Sequence, residues 1–269
     1  MSDKVALSLA PGVALIGFGE AGERFARAGA WRGRSWGWDI AADRRELMPE
    51  CQVDAAANPA DALDDAEIVL SLVTADAALE AARSYAPLLK PGAFWCDMNS
   101  VSPDTKREAA AAVDGAGGRY VDVAVMAPVE QALSVPLLVA GPAAADALVL
   151  LKRLGFTNVR CVGEEVGRAS AIKMIRSVMV KGLEALSLEC ATAAEAAGVL
   201  DEVTASLDAS EKPLGWSERF AYNRERMETH GLRRAAEMEE SAKTLQGLGV
   251  EPVMTRGTIV LQRRTAKSR

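Results

Sequence analysis

The sequence predicts an α/β domain built on a doubly wound parallel sheet, followed by an all-α C-terminal domain. Up to about Gly163, short apolar segments alternate with segments of helix-forming composition, which is typical of a parallel sheet covered by helices on both faces. From Glu164 onward this alternation disappears, and alanine, leucine, glutamate, lysine and arginine dominate. Such a composition favours helices. The predicted domains are therefore 1–163 and 164–269.

Each predicted element follows from its local pattern of apolar and helix-forming residues. The predicted strands are short apolar runs at 13–16, 35–38, 68–73, 92–98, 120–123, 137–140 and 159–162. The predicted helices of the first domain cover 20–30, 76–88, 103–113 and 143–154. A long helix, 165–197, should end at Gly198. It is apolar on most sides, so we expect it to pack against the C-terminal helices or a second subunit.

The composition disfavours several classes of protein. The 269 residues are 49% hydrophobic and 25% charged, as in globular proteins, and the net charge of -6 argues against a nucleic-acid or anionic membrane partner. No apolar segment is long and uninterrupted enough to predict a membrane span. The cysteines are far apart and show no metal-ligand spacing, which fits a reduced, cytoplasmic protein without a bound metal.

The most informative motif is Gly17-Phe-Gly19-Glu-Ala-Gly22, which joins the first predicted strand to the first predicted helix. In the pattern G-x-G-x-x-G, the first glycine permits a tight turn and the second lets the backbone approach a pyrophosphate. The third lets the helix pack closely on its strand, while the first helical amides face the anion. The motif predicts a dinucleotide site.

An acidic residue at the end of the second strand, Asp39, lies where the hydroxyls of the adenosine ribose would bind. A carboxylate there repels a 2′-phosphate, so NAD is the preferred cofactor, although the nearby Arg44 and Arg45 leave NADP open. The predicted cofactor-binding residues are Gly17, Phe18, Gly19, Glu20, Ala21, Gly22, Asp39, Val73, Thr74 and Asn99.

A second motif makes a family resemblance specific. The segment Asp97-Met-Asn99-Ser100-Val-Ser102-Pro103 resembles the D-x-S-T-x-x-P segment of the β-hydroxyacid dehydrogenase superfamily, which includes 6-phosphogluconate and 3-hydroxyisobutyrate dehydrogenases. In that family the segment lines the nicotinamide and the substrate. Ser102 and Pro103 are also a good N-cap and first helical residue, and both roles can coexist.

Two further segments extend the resemblance. Residues 122–141 are similar to the family's D-x-P-V-S-G-G segment, which holds a substrate carboxylate, but Met126-Ala127-Pro128 replaces S-G-G. We therefore expect these three residues to contact a less polar or bulkier substrate group. The segment from Gly167 to Lys173 is similar to G-x-G-x-x-x-K-x-x-x-N, in which the lysine is the catalytic acid/base.

The resemblance therefore implies that Lys173 transfers the proton, with Ser177 where the family often has asparagine. Arg176 is a candidate to favour the neutral amine of Lys173 or to bind a substrate carboxylate. The alternative is a lysine that pairs with a carboxylate at the domain junction. The predicted catalytic residues are Lys173, Ser177, Asn99 and Ser100, and the predicted substrate contacts are Met126, Ala127, Pro128, Arg176 and His230.

A late-helix lysine of the family has no counterpart here, and Arg233, Arg234 or His230 are the candidates to replace it. A solvated basic helix face is the alternative interpretation.

Taken together, the resemblance implies an NAD(P)-dependent dehydrogenase with a Rossmann-like first domain, a small-molecule substrate and a homodimer built on the helical domain. Two alternatives stay open at this point. One is an imine or enamine reductase on the same scaffold, because Met126 and Pro128 replace the residues that recognise a hydroxyacid. The other is a non-catalytic nucleotide-binding module.

Overall fold

The computed structural model describes residues 11–29, 31 and 33–266. The last residue of the predicted helix 20–30 lies outside these described residues. The strands are β1 (Val13–Ile16), β2 (Ser35–Trp38), β3 (Asp54–Ala55), β4 (Ile68–Ser71), β5 (Phe94–Asp97), β6 (Arg119–Val125), β7 (Leu137–Ala140) and β8 (Val159–Gly163). The helices are α1 (Glu20–Gly29), α2 (Ala42–Leu47), α3 (Pro59–Leu63), α4 (Ala78–Tyr85), α5 (Pro103–Gly115), α6 (Ala144–Arg153), α7 (Arg168–Ala197), α8 (Leu200–Ser210), α9 (Trp216–Gly247) and α10 (Val253–Thr265).

The strands form one eight-stranded sheet in the order β3-β2-β1-β4-β5-β6-β7-β8. Neighbouring strands are parallel except β6 and β7, which pair antiparallel. The sheet is therefore mostly parallel, and from α7 onward the described chain is helical, which confirms the predicted fold class. Strand order reverses between β1 and β4, and in such sheets ligands bind outside the carboxyl ends of the strands at this point.

Helices cover the sheet because its central strands are apolar on both faces. All four residues of β1 and of β4 are buried, as expected for strands between two helical layers. On one side, α1 packs through Gly22, Phe25 and Ala26, and the Phe25 ring meets Phe156 edge-on at 5.2 Å. The third glycine of the motif, Gly22, is thus part of the buried face of α1.

The short elements β3, α2 and α3 were missed by the sequence prediction, although Asn58 and Pro59 give α3 an N-cap and a first-turn proline. The long helix α7 starts at Arg168 rather than at 165. Gly167 has a φ of +94°, which a right-handed helix excludes. At its other end, Gly198 has a φ of +71°, in agreement with the predicted stop.

The chain divides into two compact units, Met1–Arg176 and Ser177–Arg269. The division falls within α7, while the predicted domain boundary is the last residue of β8, so the boundary at 163 stays a prediction. In the second unit α9 and α10 pack closely at Gly231, where a side chain would collide with the carbonyl oxygen of Gln262. Within the part of the chain that the structure describes, no helix is long and apolar enough to cross a membrane.

Candidate functional site

Two adjoining cavities lie at the carboxyl ends of the strands in the first unit. The glycine-loop cavity, about 340 Å³, is lined by residues that include Gly17, Gly19, Asp39, Arg44 and Tyr85. The Lys173 cavity, also about 340 Å³, is lined by residues that include Ala21, Met98, Asn99, Ser100, Ala127 and Lys173. Leu72 and Val73, which follow β4, line both cavities. The two cavities therefore flank the point where strand order reverses.

The three motif glycines have three different surroundings. Gly17 has a φ of +91°, and a Cβ there would lie 2.7 Å from the backbone of Leu72. A Cβ at Gly22 would lie 2.9 Å from the carbonyl oxygen of Gly17, so α1 packs against the loop that precedes it. At Gly19, in contrast, a Cβ would have no atom of the described residues within 4 Å beyond its own neighbours in the chain. The backbone at Gly19 is thus open to a ligand, whereas the other two glycines serve the turn and the packing.

Asp39 holds the glycine loop. Its Oδ2 accepts a hydrogen bond from the Phe18 amide at 2.7 Å, and its Oδ1 accepts one from the Ala41 amide at 2.9 Å. Arg45 donates to the carbonyl oxygens of Asp39 and Ile40 at 2.6 and 3.1 Å. Because the carboxylate retains further lone pairs, it can accept a ligand hydroxyl as well.

Arg44 and Arg45 differ in their surroundings. The Arg45 guanidinium lies 4.8 Å from the centre of the Trp38 ring and is bound to backbone carbonyls. Arg44 lines the glycine-loop cavity, and its Nε lies 3.8 Å from Asp43 in an exposed pair that is worth little. Arg44 is therefore the cation of the two that faces the cavity.

In the second cavity Lys173 meets the segment that follows β5. The Lys173 Nζ donates to Ser100 Oγ at 2.5 Å. One turn earlier on α7, the Ser170 hydroxyl donates to the carbonyl oxygen of Val101. The structure thus brings Lys173 and Ser100, which lie in two separate motifs, together in one cavity. The start of α7 is hydrogen-bonded to two successive residues of the loop after β5, Ser100 and Val101.

Asn99 is fixed by Asp97. The Asn99 Nδ2 donates to Asp97 Oδ1 at 2.8 Å and to Ser71 Oγ at 3.0 Å, and the Asn99 amide donates to Asp97 Oδ1 at 3.0 Å. Because a carboxylate only accepts, these contacts assign the side-chain amide orientation. The Asn99 Oδ1 is buried and has no hydrogen-bond partner within the described chain. A molecule that donates a hydrogen bond would suit this oxygen.

Behind the cavity lies a buried charged cluster that the sequence analysis missed. Lys106 of α5 is fully buried, and its Nζ lies 3.0 Å from Asp97 Oδ1 and 3.6 Å from Asp122 Oδ1. Tyr120 donates to Asp97 Oδ2 at 2.7 Å. Burial, and then the adjacent Asp97 carboxylate, raise the pKa of Tyr120 well above its ordinary value. The phenol therefore stays neutral and acts as a donor.

Asp122 connects this cluster to α7. Its Oδ2 accepts hydrogen bonds from the amides of Gly167 and Ser170, both at 3.1 Å. Burial raises the pKa of Asp122, while Lys106 and the two amides act in the opposite direction. The carboxylate satisfies amides at a helix start that would otherwise be unpaired.

A signal for Lys106 was present in the sequence. Lys106, Ala109, Ala110 and Val113 are the buried residues of α5, and their spacing is that of one helix face. A lysine in an apolar stripe needs a buried partner. The identity of that partner is not visible in the local pattern.

The structure separates the predicted substrate contacts. Ala127 lines the Lys173 cavity, together with Val125 and Val129, which were not predicted. Met126 packs instead against a small apolar cluster that includes Ala169, and Pro128 is exposed. Of the three residues that replace S-G-G, the cavity therefore includes one.

The other predicted residues lie elsewhere. Val73 and Thr74 line the glycine-loop cavity, and Arg176 is exposed, three residues after Lys173 on α7. Ser177 and His230 belong to the second unit. Their roles beside Lys173, and those of Arg233 and Arg234, stay predictions.

The fold and these two cavities define a dinucleotide-binding α/β protein with a helical C-terminal unit. Residues 12–163 match the family model described as the NAD binding domain of 6-phosphogluconate dehydrogenase. The chain belongs to this family, which confirms the predicted resemblance and gives it a dehydrogenase-like NAD(P)-binding domain. Residues 194–265 match a domain of unknown function, DUF1932.

A curated relative and two solved structures are similar to this chain in sequence. The "Uncharacterized 28.5 kDa protein in 7S RNA 5'region" of Methanothermus fervidus is 30% identical over 151 residues, which cover 56% of this chain and 57% of the relative. The match thus spans a little over half of the curated relative. A conserved hypothetical protein from Sinorhizobium meliloti 1021 is 38% identical, with a TM-score of 0.64 over 95% of this chain and 88% of that one. A conserved protein of unknown function, described as structurally similar to 3-hydroxyacid dehydrogenases, is 28% identical, with a TM-score of 0.62 over 94% and 96%.

Imine reductases share the fold. The enzyme from Myxococcus stipitatus, solved with NADP+, has a TM-score of 0.75 at 19% identity, over 94% of this chain and 93% of that one. Its V8 variant was solved with NAD+ and has a TM-score of 0.74 at 20% identity, again over 94% and 93%. At such identity the likeness is one of fold.

Proposed function

We propose that this protein is an NAD(P)-dependent oxidoreductase of the β-hydroxyacid dehydrogenase type, which acts on a substrate carbon that bears a hydroxyl or carbonyl group. One observation carries the proposal. The Lys173 Nζ lies 2.5 Å from Ser100 Oγ, in a cavity that shares Leu72 and Val73 with the glycine-loop cavity. A dinucleotide has two ends, and two adjoining cavities offer a separate place for each.

Residues of the first unit fit the cofactor. The open backbone at Gly19 and the first amides of α1 suit a pyrophosphate. The Asp39 carboxylate suits ribose hydroxyls, and the unpaired Asn99 Oδ1 suits a donor group at the other end. When bound, the nicotinamide supplies or takes up the hydride.

Lys173 handles the proton in this proposal. In the oxidation direction its neutral amine takes the proton of the substrate hydroxyl, and in the reduction direction its ammonium donates a proton to the carbonyl oxygen. The Ser100 hydroxyl orients the amine, because Lys173 donates to it. A positioned acid/base contributes about 100- to 10,000-fold to the rate.

The test compares Lys173→Ala with Lys181→Ala, an exposed lysine further along the same helix. We expect Lys173→Ala to lower kcat by about 100- to 10,000-fold. NADH affinity, measured by fluorescence titration, should stay within about twofold because the glycine loop is intact. Lys181→Ala should match the wild type in both measurements. Equal turnover in Lys173→Ala would overturn the assignment.

The second candidate is an imine or enamine reductase. The apolar wall of the Lys173 cavity favours this candidate, and its apolar residues are Met98, Val125, Ala127 and Val129. Such side chains offer no hydrogen bond or opposite charge to a substrate carboxylate. A panel of 2- and 3-hydroxyacids, the matching ketoacids and cyclic imines, each assayed with both cofactors, separates the two activities. Turnover of cyclic imines alone would favour this candidate.

For the cofactor, the proposal is a preference for NAD over NADP, because Asp39 lies at the glycine-loop cavity. Arg44 lines the same cavity and is the residue that would tolerate a 2′-phosphate. We expect tighter binding of NADH than of NADPH by fluorescence titration. Arg44→Ala should weaken NADPH further and leave NADH unchanged, with Arg24→Ala, an exposed cation paired with Glu20, as the control. A wild-type preference for NADPH would contradict the proposal.

For the assembly, the proposal is a homodimer built on α7 and the helical unit. Ile175, Val178 and Leu188 of α7 are 73%, 75% and 69% exposed within one chain, and an apolar surface of this kind marks an interface. Light scattering should give the mass of a dimer for the wild type and of a monomer for Val178→Glu. A monomeric wild type would rule the dimer out.

A further inference from the structure

The fully buried Lys106 ammonium is the group behind the site that the proposed proton transfer does not use. Besides the two carboxylates of the cluster, it has two carbonyl oxygens, that of Asp97 at 2.5 Å and that of Val123 at 3.5 Å, to which it donates. Burying an ammonium costs much of its hydration, and apolar residues of similar volume often replace buried ion pairs without loss of stability. The cluster therefore calls for a reason other than stability.

The Lys106 ammonium lies between two carboxylates on neighbouring strands of the sheet. Asp97, the last residue of β5, and Asp122, in the middle of β6, are register partners. Like charges directly opposite each other on neighbouring strands repel. Lys106 lies 3.0 Å from the Asp97 carboxylate and 3.6 Å, beyond hydrogen-bond distance, from that of Asp122, so its charge offsets the repulsion between the two carboxylates.

From Asp122 the connection runs to the acid/base. The hydrogen bonds from the Gly167 amide, just before α7, and from the Ser170 amide both end on Oδ2, the oxygen that is not directed at Lys106. The Asp122 carboxylate therefore lies between the Lys106 ammonium on one side and the amides of Gly167 and Ser170 on the other. In this place it fixes the position and orientation of the first turn of α7. Lys173 follows Ser170 by three residues on the same helix, so the position of its amine depends on the position of the α7 start.

From Asp97 a second connection runs to the opposite wall. Asp97 Oδ1, the oxygen 3.0 Å from Lys106, accepts both hydrogen bonds from Asn99. Ser100 is the next residue in the chain and receives the Lys173 amine. One buried cation thus anchors the carboxylates that fix both walls of the Lys173 cavity.

We propose that Lys106 and Asp122 form a positioning pair, in which the buried ammonium anchors Asp122 and Asp122 sets the start of α7 so that Lys173 lies beside Ser100. The proposal rests on the acid/base function proposed for Lys173. Neither member touches the reacting atoms, so neither is a catalytic residue.

The central variant is Asp122→Ala. It removes the acceptor for the Gly167 and Ser170 amides but leaves Lys106 and Asp97 as a one-to-one pair of opposite charges, so no buried charge is left without a partner. Asp122→Asn is the conservative variant, because one amide oxygen can take the place of Oδ2 and accept both hydrogen bonds. Val113→Ala is the matched control, since Val113 lies on the buried face of α5 with Lys106 and carries no charge.

The measurement follows Lys173 without turnover. Accessible lysines of the full chain are reductively methylated with carbon-13 formaldehyde, and the Lys173 resonance is assigned by its absence in Lys173→Arg. In Asp122→Ala we expect the Lys173 resonance to move to the position of exposed lysines such as Lys181. In Asp122→Asn and Val113→Ala the resonance should stay at its wild-type position.

Turnover gives the second measurement. Asp122→Ala should lower kcat by roughly 100-fold, the order expected when a reacting group is displaced by about 1 Å, with the KM for NADH unchanged. Asp122→Asn should recover most of this loss. If Asp122→Ala does not fold by circular dichroism, Lys106→Met is measured in its place, and the same shift of Lys173 is expected because Asp122 loses its anchor.

The outcomes separate the two proposals. A folded Asp122→Ala or Lys106→Met protein whose Lys173 resonance is unchanged overturns the positioning pair, whatever the enzyme turns over. A shifted resonance in a protein that turns over no hydroxyacid, ketoacid or imine keeps the positioning pair and overturns the oxidoreductase.

Discussion

Two helix starts in this molecule are held by a carboxylate from a distant part of the chain, in opposite surroundings. At the start of α7, Asp122 accepts from two amides and is fully buried. At the start of α10, Glu189 accepts from the amides of Met254 and Thr255 at 2.7 and 2.9 Å and is only partly buried. The first start carries Lys173 three residues further on, whereas α10 carries none of the predicted site residues.

The different surroundings of the two carboxylates shift their pKa values in opposite directions. Burial raises the pKa of Asp122, and Lys106 opposes this. Desolvation also raises the pKa of Glu189, but hydrogen bonds from Thr255 and Met254 outweigh it and leave the pKa below its ordinary value. A capping carboxylate near solvent thus stabilises a helix directly, while a buried one needs a counter-charge. The buried carboxylate, Asp122, is the one that lies beside the Lys173 cavity.

The largest expected difference between the two starts is in stability. Asp122→Ala leaves two buried amides without an acceptor and should lower the free energy of unfolding by about 2–6 kcal/mol, at about 1–3 kcal/mol for each unsatisfied donor. Urea denaturation followed by circular dichroism measures this. A loss below about 1 kcal/mol would mean that water replaces the carboxylate at the α7 start.

Glu189→Ala should cost less, about 1 kcal/mol, the usual value of a capping interaction that water can partly replace. The same urea titration measures it, and NADH binding should be unchanged because Glu189 belongs to the second unit. A loss as large as that of Asp122→Ala would remove the contrast between the two helix starts.

The hydroxyls at the two starts give a smaller, matched pair. Ser170 donates to a backbone carbonyl and Thr255 donates to Glu189 at 2.6 Å. Ser170→Ala and Thr255→Val should each lower the free energy of unfolding by roughly 0.5–1.5 kcal/mol. Only Ser170→Ala should also lower turnover, since Ser170 ties α7 to Val101 beside Ser100. Equal activity in both variants would count against a link between the α7 start and the site.

The smallest expected effect is the change of the free energy of unfolding with pH, and the sign of this change differs between the start of α7 and the start of α10. The folded-state pKa of Asp122 is raised, so the wild-type advantage over Asp122→Asn should be greatest below the unfolded pKa of about 3.9 and decline as pH rises through the folded pKa. The folded-state pKa of Glu189 is lowered, so the advantage over Glu189→Gln should be full above about 4.3 and disappear as pH falls. Urea titrations from acid to neutral pH measure both slopes, and slopes of the same sign would contradict the assigned causes.

Local patterns in the sequence predicted much of the site. The glycine motif, the loop after β5 and Lys173 on α7 were each predicted from their own segment, and the structure brings Asn99, Ser100 and Lys173 to one cavity. Met126 packs against the apolar cluster that includes Ala169, so its contact with a substrate stays a prediction. The loop-holding contact of Asp39 with the Phe18 amide was missed, since it joins residues 21 positions apart.

The amino-acid sequence alone determined the α/β class, the position of the dinucleotide loop and the helix that carries Lys173. Each of these follows from backbone preferences and apolar periodicity within a few turns of chain. Only the tertiary structure decided that β7 runs antiparallel and that Lys106 meets Asp97 and Asp122. Asp122 lies 45 residues from Gly167, and contacts at such separation are set by how the sheet and helices pack, which no local pattern encodes.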